Sequence, residues 1–119
     1  MKIKRRKTQN LNDGYIGVYK TKEKRTDFSA VVSPKSMNDL AYIVDLAYTE
    51  EYKREQDYSM AEADGHALSL KLKTLIYDEL TKDHKIIYGR EMYNILKIDY
   101  ARSAGVMYLY LEEEGTIAE

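Results

Sequence analysis

The sequence predicts a mainly β fold, a small antiparallel barrel or sandwich of about six strands with a helix and a long loop inserted between strands 2 and 3. Three observations predict it. Apolar and polar residues alternate from Leu68 to Lys73, Gly89-Arg90 separates two apolar runs as a hairpin turn does, and the strand-favouring residue tyrosine occurs 12 times. A chain of 119 residues suits one domain with a buried core.

The first half of the chain predicts two strands. Residues 15–21 alternate weakly after the turn signal Asn12-Asp13-Gly14, and we expect the first strand there. Residues 27–32 are the predicted second strand. It ends at Pro34, because proline has no N–H to donate to a neighbouring strand.

A helix is predicted next, over residues 37–49. The residues Ser36 to Asp39 have the Ser-x-x-Asp form of a capped helix start. Apolar residues then follow at helical spacing, namely Leu40, Ile43, Val44, Ala47 and Tyr48. Residues 50–65 are dense in charge, and we expect a long exposed loop or an extension of the helix there.

The second half predicts four strands, at residues 67–76, 85–88, 91–99 and 106–112. Both faces of the last strand are apolar, so we expect both to be covered. The predicted organisation is a basic flexible arm over residues 1–14, a barrel domain over 15–113 with the helix and loop at 37–65, and an acidic tail over 114–119.

Composition and motifs argue against a catalytic, cofactor or metal site. The chain has no cysteine, and its two histidines, His66 and His84, lie in polar turns without a metal-binding spacing. No GxSxG, GxxxxGK[ST] or GxGxxG string occurs. The acidic residues between 50 and 64 are interpreted as a solvated face. No apolar run approaches about 18 residues, and no apolar run follows the basic start, so we expect neither a membrane span nor a signal peptide.

Charge and tyrosine content favour contacts with other molecules. The net charge is −1, but basic residues collect at the start and acidic residues at the end. Tyrosine is enriched at protein interfaces. The predicted docking residues are Lys4, Arg5, Arg6, Lys7, Tyr15 and Tyr19. The basic arm suits either an acidic protein neighbour or the phosphates of a nucleic acid, and both hypotheses stay open.

The segment KIIYGREMYNILKID, at residues 85–99, carries a family resemblance. With the apolar strand and acidic end that follow, it resembles the C-terminal hairpin of the tailed-phage head–tail adaptor family, also called head-closure, head-completion or stopper proteins. Residues 28–36 and 67–76 are similar to two further strands of that family. The chain departs from the family in lacking a tryptophan between its first strands and in its longer connection at 37–65.

The resemblance implies a structural virion protein without enzymatic activity. Such a subunit forms a ring, dodecameric in the family, beneath the portal and its adaptor, closes the channel after DNA packaging, and receives the tail. The implied location is the head–tail interface of a virion assembled in the host cytoplasm. The implied partners are other copies of the chain, portal or adaptor proteins, tail proteins and, transiently, genomic DNA. The implied channel loop holds Glu50, Glu51, Tyr52, Glu55, Asp57 and Tyr58.

Two other classes of function stay open from the sequence. One is a small SH3-like or OB-like barrel that binds nucleic acid through the basic arm. The other is a small enzyme that uses carboxylates of the acidic loop.

Overall fold

The computed structural model describes residues 11–22, 34 and 36–118. The described residues form six strands and one α-helix: β1 (Gly14–Thr21), β2 (Leu40–Glu50), α1 (Glu55–Ala63), β3 (Leu70–Leu75), β4 (Lys85–Tyr88), β5 (Glu91–Ala101) and β6 (Val106–Thr116). Every pair of neighbouring strands is antiparallel, and the order β1-β2-β3-β6-β5-β4 closes into a barrel. The predicted mainly β barrel with a helical insertion is therefore confirmed.

Alternation places the core inside the barrel. The fully buried side chains include Ile16 and Val18 of β1, Leu72 of β3, Ile86 of β4, and Met107, Leu109 and Leu111 of β6. Burying one such side chain contributes about 1.5–3 kcal/mol. On β6 the outward-facing Tyr110 is buried as well, so both faces of this strand are covered, as its sequence predicts.

The predicted helix at 37–49 is wrong, because this segment forms β2. The cap signal at Ser36 produces only a 3₁₀ turn, Met37–Asp39, in which the Ser36 N–H donates to Asp39 Oδ2 at 3.3 Å. A register shift follows: Val18 faces Val44 but Tyr19 faces Tyr42, which leaves Ile43 as a bulge. The bulge breaks the two-residue period of the strand, so its apolar residues mimic helical spacing.

The helix lies instead at Glu55–Ala63, where the sequence predicts a loop or a helix extension. Its buried residues are Asp57 and Ala61, which are four apart and so share one face of the helix. This face contains one carboxylate and one small side chain, so it carries little of the hydrophobic periodicity that signals a helix.

The later strands follow the predictions closely, with shifts at their ends. β4 has the predicted bounds, β5 and β6 are longer than predicted, and β3 is shorter. The turn between β4 and β5 has Gly89 at φ +64°, a left-handed conformation that glycine adopts readily. Since β6 runs to Thr116 and Ile117 is buried, most of the predicted acidic tail belongs to the domain. The predicted strand at 27–32 and residues 1–10 of the predicted arm lie outside the described residues.

The strands are staggered, so some are paired on both sides for only part of their length. β2 pairs with β3 only at residues 48–50, and β5 pairs with β4 only at residues 91–94. The connection from β3 to β4 adds Leu80 to the barrel core, where this side chain is 3% exposed. Among the helices of the described residues, none is long and apolar enough to cross a membrane.

Candidate functional site

The connection between β2 and β3, residues 51–69, is named here the excursion. It contains α1 and packs on the outer face of β3, β6 and β5. On that face, Lys71 of β3 is opposite Tyr110 of β6, which is opposite Lys97 of β5. The next row holds Lys73, Tyr108 and Asp99. Tertiary structure thus collects lysines and tyrosines that are far apart in the sequence.

A buried ion pair anchors the start of α1 to the barrel. Asp57, 3% exposed, accepts a hydrogen bond from Lys71 Nζ at 3.1 Å. It also accepts bonds from Arg54 Nη2 at 3.0 Å and from the Arg54 backbone N–H at 2.9 Å. Burial by itself raises the pKa of Asp57, but the hydrogen bonds from Arg54 and Lys71 outweigh it and hold the pKa well below its usual range. The carboxylate is therefore charged and fully partnered.

The lysine of this pair also contacts aromatic rings. Lys71 Nζ lies 5.2 Å from the ring centre of Tyr110 and 5.5 Å from that of Tyr108. A cation at this distance from a tyrosine face is attracted to the ring. The excess positive charge of Arg54 and Lys71 over Asp57 is thus partly balanced by tyrosine.

Apolar packing and a second carboxylate fix the rest of the excursion. Ala61 and Leu68 are buried against Tyr110, with Met60, Leu96 and Tyr108 packed around them. At the far end, Glu112 of β6 accepts a bond from the Ala67 N–H at 2.6 Å and contacts His66 Nδ1 at 3.2 Å. The excursion is consequently held at both ends and in its middle.

Beside the start of α1, the surface has a concavity of about 450 Å³. It is lined by Glu51, Tyr52, Arg54, Lys71, Asp99, Tyr108 and Tyr110. Both cations of this lining, Arg54 and Lys71, are paired with Asp57, and the lining residue Glu51 is paired with Lys73 at 3.4 Å. The concavity offers exposed aromatic surface more than free charge.

The predicted channel-loop residues lie on the excursion or, for Glu50, at the end of β2 directly before it, and all but one of them reach the surface. Tyr52 is 85% exposed and Tyr58 is 41% exposed. Glu50, at the end of β2, and Glu55 are exposed, while Glu51, the first residue after β2, is half-buried. We call these five residues the excursion surface.

Asp57 is the exception. It was predicted to join the solvated acidic face, but it points into the protein toward Lys71. The helical phase explains the difference, since Asp57 and the buried Ala61 lie on the same side of α1. A carboxylate in this position holds the excursion in place and does not contact a partner.

A second exposed aromatic group lies on the outer face of β1 and β2. Tyr15 is 74% exposed, and the ring of Tyr19 meets that of Tyr42 edge to face at 5.6 Å. Tyr19 lies over Gly17, where a Cβ atom would come within 2.6 Å of the ring. We call Tyr15, Tyr19 and Tyr42 the tyrosine surface. Sequence reasoning found the first two and missed Tyr42, because it assigned that residue to a helix.

The remaining candidates from the sequence are the basic arm and the two histidines. Lys4, Arg5, Arg6 and Lys7 lie outside the described residues. His66 is exposed and contacts Glu112 of β6, whereas His84 Nδ1 accepts a bond from the Thr81 N–H at 3.0 Å within its own turn. Within the described ranges, no group of three or more histidine, cysteine or carboxylate residues is arranged to hold a metal ion.

No protein-family model matches this sequence, and no curated protein matches it. The functional argument therefore depends on the sequence pattern and on the two surfaces described above.

Proposed function

We propose that this protein is a structural subunit of a tailed-phage virion, a head–tail connector or head-completion protein without enzymatic activity. In this proposal, copies of the chain form a ring under the portal or adaptor, close the DNA channel after packaging, and present the surface to which the tail attaches. The segment that carries the family resemblance, residues 85–99, lies in the β4–β5 hairpin of a small closed barrel, which agrees with the fold that the resemblance implies.

The observation that carries the proposal is the position of the two aromatic surfaces. The excursion packs on β6 and its neighbours, whereas the tyrosine surface is on β1 and β2, and β6 is opposite β1 in the order of the barrel. A ring is built from heterologous contacts, in which one surface of a subunit meets a different surface of the next. Two different exposed aromatic surfaces on one subunit meet this requirement, and aromatic residues dominate protein interfaces.

The excursion surface also suits a channel. Its carboxylates, Glu50, Glu51 and Glu55, would repel DNA phosphates, so that DNA could pass without binding. Because the excursion is anchored by the Asp57–Lys71 pair and by Glu112, it would hold a fixed position at the channel wall.

Deleting the gene from the replicon that carries it tests the proposal. We expect particle preparations to contain heads and free tails that do not join, as seen by electron microscopy, and the wild-type gene supplied in trans should restore virions. Complete virions from the deletion, or a replicon that produces no particles, would overturn the proposal.

Complementation with point variants tests the two surfaces. Tyr15→Ala and Tyr52→Ala should each lower the yield of infectious particles, because each removes an exposed ring from one surface. Leu75→Ala is the matched control, since Leu75 is 55% exposed and belongs to neither surface. Equal yields from all three variants would contradict the assignment of the surfaces.

The alternative, a nucleic-acid-binding barrel, depends on the basic arm. On the described outer face, Lys71 and Lys73 are in ion pairs, which leaves Lys97 as the lysine of that face available for phosphate binding. This alternative would be favoured if the purified chain bound duplex DNA with a steep salt dependence and if removal of residues 1–7 abolished that binding.

A further inference from the structure

Within the described residues, half of β5 lacks a paired strand on its β4 side, and this half is named here the free edge of β5. β5 pairs with β6 along its whole length, but with β4 only at residues 91–94. On the β4 side, residues 96–101 make no backbone hydrogen bond to another described residue. An edge of this length is a template for another strand, and proline, the usual block to pairing, is absent from it.

The outer face of this free edge carries one charge of each sign. Lys97 and Asp99 are both exposed, and neither forms a salt bridge with another described residue. Lys97 Nζ lies 5.6 Å from the ring centre of Tyr110, on its own sheet. Between the two charges, Ile98 faces the barrel interior and is half-buried.

We propose that this edge binds a second copy of the chain, strand against strand, with Ile98 on a two-fold axis. An axis perpendicular to the sheet makes the two β5 strands antiparallel and keeps their outer faces on the same side. Residue 97 of each copy is then opposite residue 99 of the other. The dimer therefore contains two equivalent pairs, each formed by Lys97 of one copy and Asp99 of the other. Opposite charges in directly facing positions stabilise a strand pair.

The other free edge of the described barrel does not have this symmetry. Residues 40–47 of β2 are also unpaired on the β3 side, but they carry Asp45 without a lysine or arginine. Each edge contains a bulge, at Ile43 in β2 and at Leu96 in β5, so the bulges do not distinguish them. Self-pairing of β2 would gain no ion pair. Charge complementarity selects β5.

This contact is independent of the proposed ring. An isologous contact is complete with two copies and cannot extend to a third. It concerns the free chain, which would exist as a dimer of twice its 13.9 kDa mass.

Charge exchange tests the dimer by sedimentation equilibrium of the full chain. Lys97→Glu places two carboxylates opposite each other twice per dimer, and we expect the dissociation constant of the dimer to rise by about tenfold or more. Asp99→Lys should have a similar effect. The double variant Lys97→Glu/Asp99→Lys restores opposite charges, and its dissociation constant should return to within about threefold of wild type. A monomeric wild type, or a double variant as weak as the single ones, would overturn the proposal.

Disulfide trapping tests the register, because the chain has no cysteine of its own. Lys97→Cys mixed with Asp99→Cys should form a disulfide-linked dimer on mild oxidation, since directly opposite residues are within disulfide reach. Each variant oxidised alone is the control and should cross-link far less. Equal cross-linking of the controls, or none in the mixture, would contradict the register.

The two proposals can fail separately. If the dimer forms with this register but deletion of the gene still yields complete virions, only the proposed function is contradicted. Failure of head–tail joining in the deletion, together with a monomeric free chain, would remove this inference only.

Discussion

Asp57 shows how one residue can couple an insertion to a barrel. Its side chain is buried between Arg54 and Lys71, and every strong contact it makes is charge-assisted. Removing one partner of a buried ion pair leaves the other charge without compensation. The start of the excursion thus depends on a residue that sequence reasoning placed on a solvated face.

Asp57→Asn tests this dependence. The amide cannot balance the charge of Lys71, so we expect the free energy of unfolding to fall by about 3 kcal/mol. Urea denaturation measures it, with Asp64→Asn as an exposed control that should change stability by less than about 0.5 kcal/mol. The double variant Asp57→Asn/Lys71→Met should recover part of the loss, and a loss equal to that of the single variant would contradict the pairing.

The same residue predicts a pH dependence. Its pKa is lower in the folded chain than in the unfolded one, so the carboxylate stabilises the fold above the unfolded pKa of about 4. This stabilisation is lost as pH falls below that value toward the folded pKa. The difference in stability between wild type and Asp57→Asn should therefore narrow in acid. A constant difference from pH 7 to pH 3 would argue against a charged Asp57.

At the scale of elements, β2 and α1 both differ from their predictions, since β2 lies where a helix was predicted and α1 lies where a loop or a helix extension was predicted. β2 has helical spacing because of its bulge, and α1 lacks apolar periodicity because its buried face holds Asp57 and Ala61. In both cases, contact with the barrel overrides the local pattern. The helix is consequently expected to be the least independently stable element, since little apolar surface attaches it.

Ala61→Leu tests the attachment of α1. Ala61 is 1% exposed against Tyr110 and Leu68, so the added atoms overpack the contact at a cost of about 1–3 kcal/mol. Hydrogen exchange should speed up in α1 while the barrel strands stay protected. Ala63→Leu, at an exposed position of the same helix, is the matched control and should leave exchange unchanged. Faster exchange throughout the barrel would show that α1 and the barrel unfold together.

For the molecule as a whole, closure of the barrel determines which strands carry each exposed surface. Closure joins strands that are distant in sequence, so that the tyrosine surface forms on β1 and β2 while the excursion packs on β3, β6 and β5. The staggering that allows closure leaves the free edge of β5. The connection between β3 and β4 supports the closed form by adding Leu80 to the core.

Leu80→Ala tests this support. Leu80 is 3% exposed, so the substitution creates a cavity, and we expect the free energy of unfolding to fall by about 2–5 kcal/mol. Leu75→Ala makes the same chemical change at a position that is 55% exposed, and it should be close to neutral. Thermal and urea denaturation compare the two. Similar losses for both variants would mean that Leu80 does not contribute specially to closure.

The sequence by itself determined the fold class and the second half of the barrel. Alternation after Gly65, the Gly89 turn and the two apolar faces of β6 are local signals, and β4, β5 and β6, which pair in that order, are also consecutive along the chain. Tertiary structure decided the rest: β2 as a strand, α1 as the helix, Asp57 as a buried anchor, and Tyr42 as part of an exposed surface. Each of these depends on contacts between residues far apart in sequence. β2 pairs with β1 through a bulge beside Val18, Asp57 pairs with Lys71, and the ring of Tyr42 packs against that of Tyr19. No local periodicity encodes such contacts.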